Sequence, residues 1–221
     1  VINKIKTNSI LLQKISKYII AGIDANKSLI PPQKKNKTCR AIVRGGDIKR
    51  FQINFNSEYL EYIREKINRP RPDELWRADK KILIQRISGG LTPLVCSIDE
   101  NKYLSFASTN ILLLHEDFKD KYSYELLSVI INSKLINYFY RKSFSNDSKL
   151  TVNISTTYLE EIPIPLLNDQ NKKIIFEIEK YYFQNISNQS FDFNYLDDLV
   201  FKLYDLDQNH IDVVISSDSS S

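Results

Sequence analysis

The spacing of apolar residues changes near residue 115, and this change limits the possible folds more than any other feature. Before it, strand-like runs dominate: residues 51–55 alternate strictly, and residues 109–114 are almost continuously apolar. From Ser123 onwards, apolar residues recur every three or four positions, which is typical of helices. Strands followed by helices predict an α+β fold, with a mixed twisted β-sheet, packed helices and a small helical appendage.

The same patterns assign individual elements. Residues 9–19 carry apolar side chains at roughly helical spacing, so we expect a helix there. Residues 94–98 and 103–106 flank a polar turn and predict a β-hairpin. Further strands are expected at residues 41–43, 51–55, 81–87 and 109–114. Caps for helices are expected at Ser123, whose helix would run as far as Tyr138, at Asn168, and at Asp192 or Asn194. A short last helix is expected around residues 210–214.

The domain organisation follows from these elements. We expect one mixed domain over residues 1–166 and an acidic helical appendage over residues 167–215. Residues 216–221 are Ser-rich and have almost nothing to bury, so a flexible tail is expected there.

Charge is distributed unevenly along the chain. From Glu160 to the end there are twelve acidic and four basic residues, whereas the preceding part has 27 basic and 15 acidic residues, a net charge of +12. Such an excess attracts polyanions, so the first part is a candidate for binding nucleic acid. Solvated surface lysines would explain the charge equally well.

The sequence also indicates where in the cell the protein is expected. It has no apolar run long enough for a membrane span and no signal peptide, and we expect a cytoplasmic protein. Cys39 and Cys96 are predicted to be reduced, and the isolated His115 and His210 predict no zinc site. The chain contains no methionine, so we expect it to be part of a longer protein.

Little in the sequence supports catalysis. Asp73, Asp79 and Lys81 fit the minimal two-acid-and-lysine pattern of a metal-dependent nuclease. Prolines force a loop just before the first acid, however, and Lys81 opens a predicted strand, so structural roles are favoured. No glycine-rich strand–turn–helix for a nucleotide-like cofactor is present, and no Asn-Pro-Pro-Tyr tetrapeptide. We expect no catalytic residue, metal or cofactor site in this chain. A protein-interaction module that uses the acidic helices is a second alternative.

Basic residues on the loops around the strands are the candidate binding residues. Arginine can contact a guanine edge with two hydrogen bonds, whereas lysine mostly contacts phosphates. The candidates for contact with DNA are Lys34, Lys35, Lys37, Arg40, Arg44, Lys49, Arg50, Arg69, Arg71, Arg77, Arg86, Arg141, Lys142 and Lys149.

Four segments in a fixed order carry a family resemblance. They are residues 46–51 (Gly-Asp-Ile-Lys-Arg-Phe), 81–86 (Lys-Ile-Leu-Ile-Gln-Arg), 132–135 (Asn-Ser-Lys-Leu) and 159–165 (Leu-Glu-Glu-Ile-Pro-Ile-Pro). The chain resembles, over roughly residues 22–211, the TaqI-like C-terminal specificity domain of adenine-specific DNA methyltransferases and restriction enzymes. It is similar, more loosely, to the recognition domains of type I specificity subunits.

The resemblance implies a target-recognition domain that directs an N6-adenine methyltransferase, in some members fused to an endonuclease. Its implied partners are double-stranded DNA and an N-terminal methyltransferase domain of the same protein. S-adenosylmethionine, and any Mg²⁺, would bind that catalytic part and not this chain. Asn132-Ser133 is expected to let a buried helix pack closely, and Ile162-Pro163-Ile164-Pro165 to form an extended exit that cannot re-enter the sheet, so these residues are expected to be scaffold. The acidic helices are expected to face the catalytic domain or solvent. The resemblance does not identify the bases that are read.

Overall fold

The structure, a computed structural model, describes residues 1–145 and 152–219. Its strands are β1 Ser9–Leu11, β2 Ser16–Ala21, β3 Cys39–Val43, β4 Ile48–Lys49, β5 Gln52–Ile53, β6 Tyr59–Glu61, β7 Lys81–Gln85, β8 Ile87–Ser88, β9 Cys96–Asp99, β10 Leu104–Ser105, β11 Thr109–Leu114, β12 Val152–Asn153 and β13 Pro163–Pro165. Its helices are α1 Ile2–Lys6, α2 Leu12–Ile15, α3 Glu74–Arg77, α4 Tyr124–Asn132, α5 Lys134–Tyr140, α6 Thr156–Glu160, α7 Lys172–Asn185, α8 Phe193–Leu203 and α9 Gln208–Ser219. The α+β prediction is confirmed.

The largest sheet is antiparallel and has the strand order β2-β11-β7-β9. All six residues of β11 are buried, because it lies between two neighbours and both of its faces are covered. A nearly continuous apolar run is typical of such a strand, so the strand predicted at residues 109–114 is confirmed. The strand predicted at residues 81–87 is interrupted at Arg86, which separates β7 from β8.

The hairpin predicted between residues 94–98 and 103–106 is wrong. β9 pairs with β7, whereas β10 pairs in parallel with β3 in a second sheet of order β10-β3-β6. The Asp99 carboxylate accepts hydrogen bonds from the backbone N–H of Asn101 and of Tyr103. These bonds turn the chain at the end of β9, and β10 then lies beside β3.

The helix predicted at residues 9–19 is also wrong. The chain there forms β1, a single turn of helix in α2, and β2. β2 lies beside β11 with Ile20 opposite Ile111, and β1 pairs with β13. Pairing with distant strands thus outweighs a weak local helical pattern.

The single helix expected from Ser123 to Tyr138 is divided in two at Ser133. The Ser123 cap is confirmed, because its hydroxyl accepts a hydrogen bond from Leu126 N–H. The Ser133 hydroxyl accepts in the same way from Ile136 N–H and starts α5. A second N-cap inside the apolar repeat therefore ends one helix and begins the next.

Two asparagines close the outer edge of β9. Asn132 accepts a hydrogen bond from Cys96 N–H (3.0 Å) and donates one to Cys96 O (2.9 Å). Asn137 pairs likewise with Leu94, accepting from its N–H at 2.7 Å and donating to its carbonyl oxygen at 3.4 Å. The side-chain amides thus act as a neighbouring strand would. We expected the Asn-Ser segment only to let a helix pack closely, and its hydrogen-bonding role is an addition to that expectation.

The Ile-Pro-Ile-Pro segment is extended, as predicted, and pairs as β13 with β1. The carbonyl oxygen of Pro163 accepts a hydrogen bond from the Tyr204 hydroxyl (2.7 Å), and that of Pro165 accepts one from the Tyr122 hydroxyl (3.1 Å). Proline has no N–H, so no donor is left unpaired at these two positions.

The acidic helices pack on the mixed domain and share its core. Asp192 caps α8 as predicted, but α7 begins after Asn171, three residues beyond the predicted cap. Buried residues of α7 and α8 belong to the same apolar cluster as the central sheet. The boundary at residue 166 stays a prediction, and α9 continues to Ser219, into the segment expected to be a flexible tail.

Candidate nucleic-acid interface

One end of the central sheet gathers loops that follow β2 and precede β11. Gly22 donates its N–H to Thr109 O (3.0 Å), and a Cβ at Gly22 would lie 2.3 Å from the carbonyl oxygens of Ser105 and Phe106. Ile23 N–H donates to Ser105 O at 2.7 Å. Only glycine permits this approach, so the two loops are held together as one surface.

Three of the predicted arginines lie at this end. Arg71 Nε donates to Gly22 O (3.1 Å), and Arg86 Nη1 donates to Ala107 O (3.1 Å). Burial lowers the pKa of Arg71, and the charges of Arg69 and Arg86 lower it further. Arg69 and Arg86 are therefore each close enough to Arg71 to repel it, an arrangement that favours a bound anion. We call Arg69, Arg71 and Arg86 the arginine cluster.

Arg44 joins the edge of this surface through Ser108. The Ser108 hydroxyl accepts from Gly45 N–H and its carbonyl oxygen accepts from Arg86 N–H, both at 2.9 Å. The Arg44 guanidinium lies over the Phe106 ring and donates to both carboxylate oxygens of Glu58. This hydrogen bonding raises the pKa of Arg44 and partly neutralises its charge. Arg44 thus presents less net positive charge to a ligand than the arginine cluster.

Other predicted residues lie elsewhere. Arg40, at the start of β3, donates to the carbonyl oxygens of Trp76 and Lys102, and burial lowers its pKa. Arg77 repels Arg40, so both lie near the start of β7, at the opposite end of the sheet from the arginine cluster. Lys34, Lys35 and Lys37 are exposed in the loop before β3. The predicted set is therefore divided and does not form one continuous surface.

The Gly-Asp-Ile-Lys-Arg-Phe segment contacts the acidic helices at its end. It forms the β4–β5 turn, in which Phe51 has a φ of 60°. The Arg50 guanidinium lies over the Phe193 ring, 5.0 Å from its centroid, and the Phe51 ring lies 4.6 Å from that of Phe191. Gln189 Nε2 donates to Phe51 O at 3.2 Å. Arg50 and Phe51 therefore connect the mixed domain to the acidic helices, a role that could not be predicted from their residue types. The preceding Lys49 is exposed.

The candidates near the end of α5 differ in exposure. Arg141 is 3% exposed, and its guanidinium donates to Leu91 O and to the Ser217 hydroxyl. We therefore do not retain Arg141 in the DNA-facing surface. Lys142 is exposed, with its Nζ over the Tyr138 ring. Lys149 lies outside the described residues.

The residues of the nuclease alternative do not converge. Lys81 is fully buried against Asp99, whereas the Asp79 side chain is 93% exposed and paired with Lys102. Asp73 accepts hydrogen bonds from Tyr62 and Arg64. Lys81 points into the core and Asp79 into solvent, so the geometry contradicts a shared metal site. In the described part of the chain, no three His, Cys, Asp or Glu side chains are grouped as metal ligands.

Comparison with known proteins gives one family. The sequence profile of the TaqI-like C-terminal specificity domain matches residues 40–164, more than half of the chain. None of the curated proteins matches the sequence. Among solved structures, the HsdS subunit from Thermoanaerobacter tengcongensis is similar, with 14% identity and a TM-score of 0.44. The match covers 99% of this chain and 48% of that one, so this chain spans about half of its length.

A mixed α+β domain with arginines on its loops and a matching profile defines the class: a specificity domain, which recognises DNA sequence in restriction–modification. The chain belongs to the family of TaqI-like C-terminal specificity domains. This confirms the resemblance drawn from the four segments, although the profile covers a shorter range than the expected residues 22–211. Within residues 1–145 and 152–219, no helix is both long and apolar enough to cross a bilayer.

Proposed function

We propose that this chain binds duplex DNA through the arginine cluster and directs an N6-adenine methyltransferase to the bound site. The observation that carries the proposal is the concentration of Arg69, Arg71 and Arg86 on loops held to one another by backbone hydrogen bonds. Loops fixed in this way present their charges together, and this favours a polyanion over a single small ion.

The acidic helices support the same orientation. From residue 160 onwards the chain carries a net charge of −8, which repels phosphates. DNA would therefore approach the arginine end of the sheet, and the acidic helices would face the catalytic domain or solvent.

A charge-reversal pair tests DNA binding. The full 221-residue chain would be titrated with a labelled duplex pool at several salt concentrations. We expect wild-type binding to weaken steeply with salt and Arg69→Glu to reduce it strongly, because each lost phosphate contact lowers the salt slope by roughly 1. The matched control is Lys173→Glu, the same change of charge at an exposed lysine of α7. Equal effects of the two variants would contradict a DNA surface at the arginine cluster.

We assign methyl transfer to a separate catalytic domain, because this sequence contains no catalytic motif for it. The catalytic domain, in the same protein, would bind S-adenosylmethionine, and Mg²⁺ where the protein also cleaves DNA. Expressing the complete gene in a methylation-free host and mapping N6-methyladenine tests this part. Methylation within the motif that this chain selects in vitro would support it, whereas an unmodified genome would contradict it.

A protein-binding surface on α7 is a second candidate function. Phe176 and Phe183 are 67% and 57% exposed, and they lie two helical turns apart on one face of α7. Two exposed phenylalanines on one helix face favour contact with another protein. Replacing both with Ser should leave DNA binding unchanged and weaken association with the catalytic domain, measured by co-purification. Unchanged association would exclude this face from the interface.

A further inference from the structure

The three arginines of the cluster differ in how firmly their guanidinium groups are fixed. Arg86 is held at two points, with Nη1 donating to Ala107 O at 3.1 Å and Nε donating to Asn153 Oδ1 at 3.2 Å. Arg71 is held at one point, through Nε to Gly22 O. The Arg69 side chain has no hydrogen bond or ion pair within the described residues, although its backbone N–H donates to Asp24 O. Fixation therefore increases from Arg69 to Arg71 to Arg86.

This order matters because base reading and phosphate binding need different side chains. A base edge presents acceptors at fixed positions, so a reader benefits from a guanidinium plane that is set before binding. A phosphate tolerates a mobile side chain. Guanidinium has five N–H donors, so the two bonds of Arg86 leave both Nη2 hydrogens and one Nη1 hydrogen for a ligand.

The surroundings of Arg86 also fit a base edge. In the β8–β12 ribbon, Ile87 lies directly opposite Asn153, so their side chains project from the same face. Asn153 accepts a hydrogen bond from Arg86 Nε, and Ile87 directly follows Arg86 along the chain. Ile87 is 57% exposed, so its apolar side chain is accessible to a ligand. An apolar side chain beside a fixed arginine can contact a thymine methyl group next to a guanine.

We infer that Arg86 is a base-reading residue that recognises a guanine edge, that Asn153 positions it, and that Ile87 contacts an adjacent thymine methyl group. The inference rests on the proposed DNA-binding function and goes beyond it by assigning specificity to one arginine of the cluster. Arg69 binds phosphate and contributes affinity without sequence preference.

Selection from a random duplex pool by the full 221-residue chain tests the assignment. The wild type should select a motif that contains at least one guanine. Arg86→Lys keeps the charge but removes the planar fork, and it should lose a preference of roughly 5- to 150-fold at that guanine only. Asn153→Ala should weaken the preference at the same guanine, whereas Asn153→Asp, which retains the acceptor, should keep that preference. Ile87→Ala should relax a neighbouring thymine, and Arg69→Lys should keep the whole motif.

The outcomes separate the inference from the proposed function. If the wild type selects a motif and Arg86→Lys and Asn153→Ala both select the same one, the inference is overturned and DNA recognition stands. If the wild type binds no duplex, the proposed function fails, and the inference with it. Thermal melting of each variant identifies any that has unfolded. Because Asn153→Ala acts on the same position without touching Arg86, it decides the question should Arg86→Lys not fold.

Discussion

Asn132 gives the sharpest stability prediction, because one side chain pairs with both backbone groups of a buried residue. Asn132→Ala removes the acceptor for Cys96 N–H and a donor to Cys96 O, and it removes the bond from the amide to Ser128 O (2.9 Å). Cys96 O keeps a partner, because Phe51 N–H also donates to it at 3.1 Å. Cys96 N–H has no other partner among the described residues, and Cys96 is fully buried.

The expected loss of stability follows from the fact that Cys96 N–H loses its partner whereas Cys96 O keeps one. An orphaned buried N–H costs about 1–3 kcal/mol, and each of the other lost bonds adds about 0.5–1.5 kcal/mol. Alanine regains at most about 0.7 kcal/mol of helix propensity, because Asn132 is the last residue of α4. We therefore expect Asn132→Ala to lower the free energy of unfolding by about 1–5 kcal/mol.

Urea denaturation measures the loss, and the m-value should stay constant because the surface exposed on unfolding is unchanged. The control is Asn209→Ala, at an exposed position of α9, which we expect to change stability by less than about 0.5 kcal/mol. Hydrogen exchange gives a local readout, since the Cys96 amide should lose protection before the rest of the sheet. Equal effects at positions 132 and 209 would refute the edge-pairing argument.

Three further predictions come from matched positions. Gly45→Ala should destabilise the chain by about 1–3 kcal/mol, because its Cβ would lie 2.3 Å from a backbone carbonyl oxygen. Gly46→Ala, with open space around it, is the control and should leave the free energy of unfolding nearly unchanged in the same urea titration. Tyr204→Phe removes a buried hydroxyl and leaves the buried Pro163 carbonyl oxygen without that donor, so it should cost about 1–3 kcal/mol. Tyr195→Phe, at an exposed hydrogen bond, should cost clearly less, and equal losses would contradict the prediction. Burial raises the pKa of Asp197 to about 6 in the folded state. The folded state thus binds this proton more tightly than the unfolded state, so the wild type should lose stability relative to Asp197→Asn as pH rises from about 4 to about 6; a pH-independent difference would refute this.

The fold class could be predicted from sequence because the change in apolar spacing is local information. Ser123, Asp192 and the buried run of β11 were identified for the same reason, since a cap or a central strand depends on neighbouring residues. The helix predicted at residues 9–19 and the predicted hairpin were wrong because β2 and β10 are fixed by strands distant in sequence. No local pattern contains that pairing.

The candidate site was predicted by residue type but not by position. Arg69, Arg71 and Arg86 were among fourteen basic candidates, and nothing in the sequence distinguished them from the buried Arg141. The distinction arises from burial, because Arg141 is 3% exposed, and residue type cannot reveal burial. One weak signal was present in the sequence. Gly22 directly follows the residues of β2, and a glycine at a strand often marks a place where another backbone approaches closely.

The paired prolines of β13 also have a consequence for the behaviour of the protein at high concentration. An exposed strand edge with free N–H and C=O groups can recruit a strand from another molecule and so start aggregation. Pro163 and Pro165 offer no N–H there, and tyrosine hydroxyls already occupy their carbonyl oxygens. The outer edge of β13 therefore cannot act as a template for a foreign strand.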